Sequence, residues 1–350
     1  MSDGLSIRGD SAYCPLALSL DCYWNCLTDC HHCYLRRLNR TWGTDLRPID
    51  TEALRRRLIN GMKNPRPHSP LAWALNNKNT IRLGNKTDAF QRAERRFKIA
   101  GRALEILTEL EWSFVIQTKF TEIVRDYEPT LRAAARAGLL WVMPVISPGW
   151  NKDWALFERR RTTHPDQRLA DAVYLRDEVG AHIGVNGEPF IPGYHTVKEF
   201  EETLDRLRAV GITRYNTYNL HLNDHVAKRL VAIGVDLERV WTMNQDAYWR
   251  PIQQQLIAAA AARGMILGCP DFVNSGWSNQ QVSNTCCGLD VPNPCTFNAH
   301  EWKRRLQRGF AAEDVLRDTW DGVGDWNEGA SIVRGTAVDL YTMTDARGVK

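Results

Sequence analysis

Short apolar runs alternate with amphipathic stretches through the middle of the chain. "TIRLG" (80–84), "SFVIQT" (113–118), "LLWVMPVIS" (139–147), "AHIGVNGEPFI" (181–191) and "TRYNTYNL" (213–220) predict strands, since apolar runs of this length bounded by helices suit buried parallel strands. Between them, 92–110, 127–137, 165–178, 196–209 and 224–233 carry apolar positions at helical spacing. With "AYCPLALSL" (12–20) as the first strand, the pattern amounts to six β/α units. The expected fold class is therefore α/β, a parallel sheet curled into a partial (β/α)6 barrel, with its chemistry at the strand C-termini. A further helix is expected over 246–263, with Pro251 in its first turns and Gly264 as its stop. From 269 to 298 the periodicity is lost among Asn, Ser, Gly, Pro and Cys, which predicts a long loop held by something other than a core. A helix near 299–308 and a polar tail follow. The domains expected are a barrel over 1–245 and an extension over 246–350.

Composition fits this picture without narrowing it. The chain has 350 residues, 43% hydrophobic and 25% charged, as in a globular protein able to bury a substantial core. No run approaches the roughly 20 apolar residues of a membrane span, and "MSDGLSIRGDSAYCPL" lacks the charged-then-apolar order of a signal peptide. The expected location is a reducing cytoplasm, that of the host if the chain is phage-encoded. A net charge of +4 leans toward an anionic partner. The thirteen tryptophans are read mainly as packing residues.

The cysteines change the picture more. All nine fall into two groups, Cys14, Cys22, Cys26, Cys30 and Cys33, then Cys269, Cys286, Cys287 and Cys295. Such grouping in a reducing compartment points to metal ligation or redox chemistry before disulfides. Cys26, Cys30 and Cys33 form C-x3-C-x2-C. Zinc sites usually take paired C-x2-C units, and no matching pair lies nearby. Three thiolates suit a 4Fe-4S cluster that keeps one iron open. His31 and His32, within the spacing, are read as loop residues and not ligands. Cys14 is expected in the core; Cys22 is read as a spectator, with redox or hydrogen transfer as the alternative.

This spacing, followed by the aromatic Tyr34 in the loop after the first strand, resembles the radical S-adenosylmethionine superfamily. "RLGNKTDAFQRAERRFKIAGRALEILTE" (82–109), "IQTK" (116–119), "PVIS" (144–147) and 158–194 resemble segments of its spore photoproduct lyase-like subgroup, over roughly residues 12–235. The resemblance implies that Cys26, Cys30 and Cys33 hold a 4Fe-4S cluster whose open iron chelates S-adenosylmethionine. One electron from an external reductant of flavodoxin or ferredoxin type then yields a 5'-deoxyadenosyl radical. It also implies that Lys119 and Ser147 contact the carboxylate and ribose of S-adenosylmethionine, and that Tyr34, Gly84, Asn85, Thr87 and Asp88 line the same mouth. Asp88 has a second reading as the cap of the following helix. Glu158 and Arg168 are open between structural and site roles. The lyases use a cysteine near the second strand as hydrogen donor, whereas this chain has none from 34 to 268. Direct photoproduct repair is therefore not expected.

Cys269, Cys286, Cys287 and Cys295 supply the full complement for an auxiliary 4Fe-4S cluster. The adjacent pair Cys286 and Cys287 requires a tight turn for both to bind, which Gly288 allows; otherwise three bind and the fourth is a free thiol or donor. The function expected from the resemblance is radical rearrangement or carbon-bond formation on a nucleobase substituent in DNA. The target would be a modified thymine, as in phage-type thymidine hypermodification. The alternatives are a peptide- or protein-modifying radical maturase and a non-catalytic Fe-S module that binds nucleic acid. DNA or a nucleotide is the expected partner, and no membrane.

Overall fold

The computed structural model describes residues 2–7, 16–35, 44–65, 67, 69–268 and 289–294. Strand β1 (Leu5–Ile7) pairs antiparallel with β2 (Leu18–Leu20), and α1 (Thr51–Met62) and α2 (Pro70–Asn76) follow. Asp50 caps α1, accepting from the backbone N–H groups of Glu52 and Ala53 at 2.9 and 3.0 Å. Next come β3 (Ile81–Leu83), α3 (Glu94–Phe97), α4 (Ile99–Glu109), β4 (Phe114–Thr118), α5 (Thr121–Val124), α6 (Glu128–Arg136) and β5 (Leu140–Pro144). The second half runs α7 (Trp150–Leu156), α8 (Pro165–Tyr174), β6 (His182–Ile183), β7 (Val185–Asn186), α9 (Val197–Ala209) and β8 (Arg214–Asn216). It ends with α10 (Asp224–Ala232), α11 (Leu237–Met243), α12 (Asp246–Ala262) and β9 (Ile266–Gly268).

β2 through β6 are parallel and adjacent in chain order, and β7, β8 and β9 form a second parallel sheet. A bridge between Val145 and Asn186 joins the two into one curved wall. The curl, and the strand-helix alternation that builds it, match the expected partial barrel. The expected strand 181–191 divides at Gly184, its first part paired with β5 and its second with β8. A Cβ at Gly184 would stand 2.7 Å from the end of the Leu289 side chain, which would have to shift to admit it.

Successive side chains on a strand face opposite ways. Ile81, Leu83, Phe114, Ile116, Leu140 and Val142 point outward, into the core shared with the helices. Val115, Trp141 and Met143 point inward, where Leu16, Leu289 and Val291 fill the lumen. Trp249, Leu256, Ala259 and Ala260 of α12 pack with Phe200, Leu204 and Tyr215 in one cluster, and β9 pairs with β8. The second sheet thus includes β9, up to Gly268.

The helix expected over 92–110 is broken at Lys98, whose φ of 54° is left-handed. The cause is Glu94. Its carboxylate accepts from the backbone N–H groups of Ala100 and Gly101 at 3.0 and 2.9 Å, which starts α4 afresh and places a negative charge at its N-terminus. No helix among the described residues is long and apolar enough to cross a membrane. Cys14, Cys269, Cys286, Cys287 and Cys295, and the helix expected near 299–308, lie outside the described residues.

Candidate functional site

The cysteine loop leaves β2 at the C-terminal mouth of the barrel. Cys26, Cys30 and Cys33 all line one cleft of about 190 Å³ there, with Lys119, Asn186 and Glu188 on its walls. Cys22 does not reach it. That thiol is fully buried in the outer core, which makes it a packing residue.

The loop is sutured from several directions. Gln91 donates from Nε2 to the Asn25 carbonyl at 2.9 Å and accepts from the Leu27 N–H at 2.8 Å. Tyr23 donates its hydroxyl to Glu94, which also accepts from the Tyr127 hydroxyl at 2.6 Å. Asp21, at the end of β2, accepts from the N–H groups of Lys86 and Thr87 at 2.8 and 2.9 Å, and Thr87 Oγ1 donates to the Tyr23 carbonyl at 3.0 Å. On the far side Asp29, at a left-handed φ of 55°, is paired with Arg159 and Arg229, each at 3.1 Å. The His31 N–H donates to the Phe157 carbonyl at 2.8 Å.

The run from 84 to 94 is therefore a bracket for the cysteine loop. Gly84, Thr87 and Asp88 line the cleft, and Asn85 is not among its lining residues. Asp88 caps no helix. Its carboxylate accepts from the Phe90 N–H at 3.0 Å, the Thr118 hydroxyl at 2.6 Å and the Lys119 N–H at 2.8 Å, tying the turn after β3 to the end of β4. Burial nevertheless pushes its pKa up, against those bonds. Gly84 has φ +86°, and a Cβ there would stand 2.4 Å from the Gln117 carbonyl oxygen. Gly84→Ala is expected to cost about 1–3 kcal/mol, read as a lower denaturant midpoint at unchanged slope.

Lys119 leaves the end of β4 and donates from Nζ to Glu158 Oε1 at 2.9 Å. Arg168, 1% exposed, donates to the same Oε1 at 3.2 Å and also bonds Oε2. Thr162 donates to Glu158 as well, and Arg168 reaches the Val145 carbonyl at 2.5 Å. Burial alone would push the Glu158 carboxyl up, but Arg168 and Lys119 outweigh it and hold it well below the usual carboxylate range. Burial likewise pushes Lys119 down, and Glu158 with Cys30 outweighs that and raises it. Burial pushes the Cys30 thiol well up, opposed by Lys119. Tyr34 lines the cleft and stands 4.8 Å from the His221 ring, which in turn stacks on Tyr218 at 4.9 Å. Ser147 is placed elsewhere, beside the Asp153 carboxylate and off the cleft wall.

Three thiols facing one cleft suit a cubane, in which each thiolate takes its own iron. Among the described residues no three His, Cys, Asp or Glu side chains, these cysteines included, stand close enough together to hold a metal ion as they are placed. Gln91 and Glu94 lie within the 82–109 run, and the sequence alone does not show their role in holding the cysteine loop. Their signal was two polar residues three positions apart just ahead of an amphipathic helix. Gln91→Ala is expected to lower iron retention by about 10–100-fold, as loss of a partner that orients ligands does, with little change in overall unfolding. Iron analysis after chelator challenge measures it.

No family model matches the chain. It is 26% identical over 221 residues to uncharacterised proteins of Mycobacterium tuberculosis (Rv2578c) and Mycobacterium bovis (Mb2609c). The match covers 61% of this chain, and the chain spans 61% of the length of these curated relatives. Among solved structures it is similar to Streptococcus suis SuiB, with a TM-score of 0.47 and 14% identity, over 71% of this chain and 48% of that one. SuiB bound to S-adenosylmethionine gives a TM-score of 0.41 and 16% identity, over 69% and 47%. The function therefore rests on this chain's own residues.

Proposed function

We propose that the chain is a radical S-adenosylmethionine enzyme. The observation that carries this reading is the convergence of Cys26, Cys30 and Cys33 on one cleft at the C-terminal mouth of a parallel barrel, with the Lys119 ammonium on its wall. Those thiolates would hold a 4Fe-4S cluster, which with S-adenosylmethionine and one electron from an external reductant of flavodoxin or ferredoxin type would supply hydrogen abstraction from an unactivated carbon. Asp21, Gln91 and Glu94 fix the loop that presents the thiolates. Lys119, kept charged by Glu158, sets a positive field beside Cys30 and offers a donor to a carboxylate. The parallel strands bring the cleft to the mouth of the barrel, and the apolar lumen beneath limits water.

The finer reading is also ours. The substrate is a modified thymine in DNA, rearranged or extended at its substituent, and an auxiliary cluster in the second cysteine group takes part. Support comes from the motif resemblance, the positive net charge and the lack of a cysteine between 34 and 268. Anaerobic reconstitution should give about eight irons per chain for two 4Fe-4S clusters. Dithionite with S-adenosylmethionine should then release 5'-deoxyadenosine. Failure to release it defeats the enzyme reading. Nucleoside mass spectrometry after incubation with thymine-modified DNA tests the substrate alone, and an unchanged nucleoside profile defeats that part.

A further inference from the structure

Arg82 is the middle residue of β3. Its neighbours Ile81 and Leu83 belong to the outer core, so strand alternation turns Arg82 inward. There it is in register with Val115, which packs in the lumen with Trp141, Met143, Leu289 and Val291. Arg82 is only 8% exposed.

The other deeply buried charges among the described residues are matched. Arg168 and Lys119 meet Glu158, Asp171 meets Arg125 and the Thr121 hydroxyl, Asp153 meets His195, and Glu94 takes two tyrosine hydroxyls and two backbone N–H groups. Arg82 is different. Its Nη2 donates to the neutral Gln117 Oε1 and no carboxylate among the described residues pairs with it, while its Nε, like that of Arg168, is buried without a partner. A guanidinium cannot shed its proton to escape this. Such a charge in an apolar lumen is a standing cost unless something anionic meets it.

The geometry shows where that anion would come from. Gln117 lies two residues beyond Val115 on β4 and is itself a wall of the cleft, so the guanidinium reaches up toward the mouth. With Gln117 Oε1 accepting from Arg82, the amide keeps Nε2 as a second donor. We propose that Arg82 and Gln117 bind the oxyanion, carboxylate or phosphate, of an acid-bearing substrate that enters the barrel through the cysteine-lined cleft. This rests on the proposed function for the identity of the cleft. The proposed function gives the carboxylate of S-adenosylmethionine to Lys119, which lines the cleft with the three cysteines, whereas Arg82 is not among its lining residues.

The test uses the full chain, purified anaerobically with its metal. Unfolding temperature is followed by tryptophan fluorescence while inorganic phosphate or succinate replaces chloride at constant ionic strength. Wild type should be stabilised saturably by at least one of the two anions, and which one distinguishes phosphate from carboxylate. Arg82→Met should weaken that anion by about tenfold or more. In chloride alone it should unfold at or above the wild-type temperature, because an uncompensated charge is gone. Affinity for S-adenosylmethionine should be unchanged. Gln117→Leu, which keeps the guanidinium, should weaken the same anion to a smaller extent. No saturable anion effect in wild type, an equal effect in Arg82→Met, or a parallel loss of S-adenosylmethionine binding would overturn the proposal. So would an Arg82→Met protein that unfolds well below wild type in chloride. Iron content and S-adenosylmethionine binding are measured on the same preparations. Their absence counts against the proposed function, whereas loss of the anion effect with both retained counts only against the role of Arg82.

Discussion

Cys30→Ala is expected to eliminate cleavage of S-adenosylmethionine, and Cys26→Ala and Cys33→Ala to do the same. On the proposed reading each thiolate would serve one iron, so losing any of the three would remove a bond to the cluster. The fall in 5'-deoxyadenosine release should exceed the roughly 10–100-fold typical of second-shell changes. Folding should survive, because these side chains line a cleft at the barrel mouth and belong to none of the hydrophobic clusters. Far-ultraviolet circular dichroism should therefore match wild type while the brown chromophore is lost. Cys22→Ala provides the contrast. That thiol is buried in the outer core, so its removal should lower stability modestly and leave cleavage intact.

Glu158→Gln should have the largest effect on stability. It leaves the Arg168 guanidinium, 1% exposed, and the Lys119 ammonium without their anion. Removing one partner from a buried ion pair costs about 3–5 kcal/mol. The pH dependence has a definite sign. Burial raises the Glu158 pKa and the two cations more than reverse that, so its folded value lies below that of the unfolded chain. The stabilisation is complete above the unfolded pKa, near about 4.3, and is lost as pH falls toward the folded value. Wild type should hold its unfolding free energy from neutral pH down to about pH 4.3 as far as this group is concerned, then lose it steeply. Glu158→Gln should begin lower and lack that acid-limb component. Denaturant titrations of both proteins between pH 7 and 3 measure it.

Much of the barrel was legible because its strands are apolar runs and its helices are amphipathic, two periods that a sequence displays directly. β4, α6 and α9 lie within a residue of expectation, and β5 ends three residues before the run that predicts it. β1 and β9 escaped notice at three residues each, too short for a period to register. α5 and α7, at four and seven residues, escaped for the same reason. The break at Lys98 was hidden because its cause is a carboxylate four residues earlier that folds back onto the next helix.

The site divides along the same line. Cys26, Cys30 and Cys33 are near neighbours in the chain, so their spacing alone announced them. Lys119 was legible as a lysine at a strand end, but its partner Glu158 is 39 positions away and Gln91 meets the cysteine loop across 64 and 66 positions. Arg82 reads in sequence as one basic residue in a short strand. Only the alternation of that strand, and the lumen it faces, show it to be a buried charge that no carboxylate among the described residues meets.

The central claim is that three thiolates near the start of the chain hold iron with one coordination position left for S-adenosylmethionine. Electron paramagnetic resonance of the dithionite-reduced protein, before and after adding S-adenosylmethionine, tests it most directly. The account predicts a reduced 4Fe-4S signal that shifts when S-adenosylmethionine is added, with the shifting component missing in Cys30→Ala. A spectrum indifferent to S-adenosylmethionine, or protein that carries zinc and no iron signal, would contradict it.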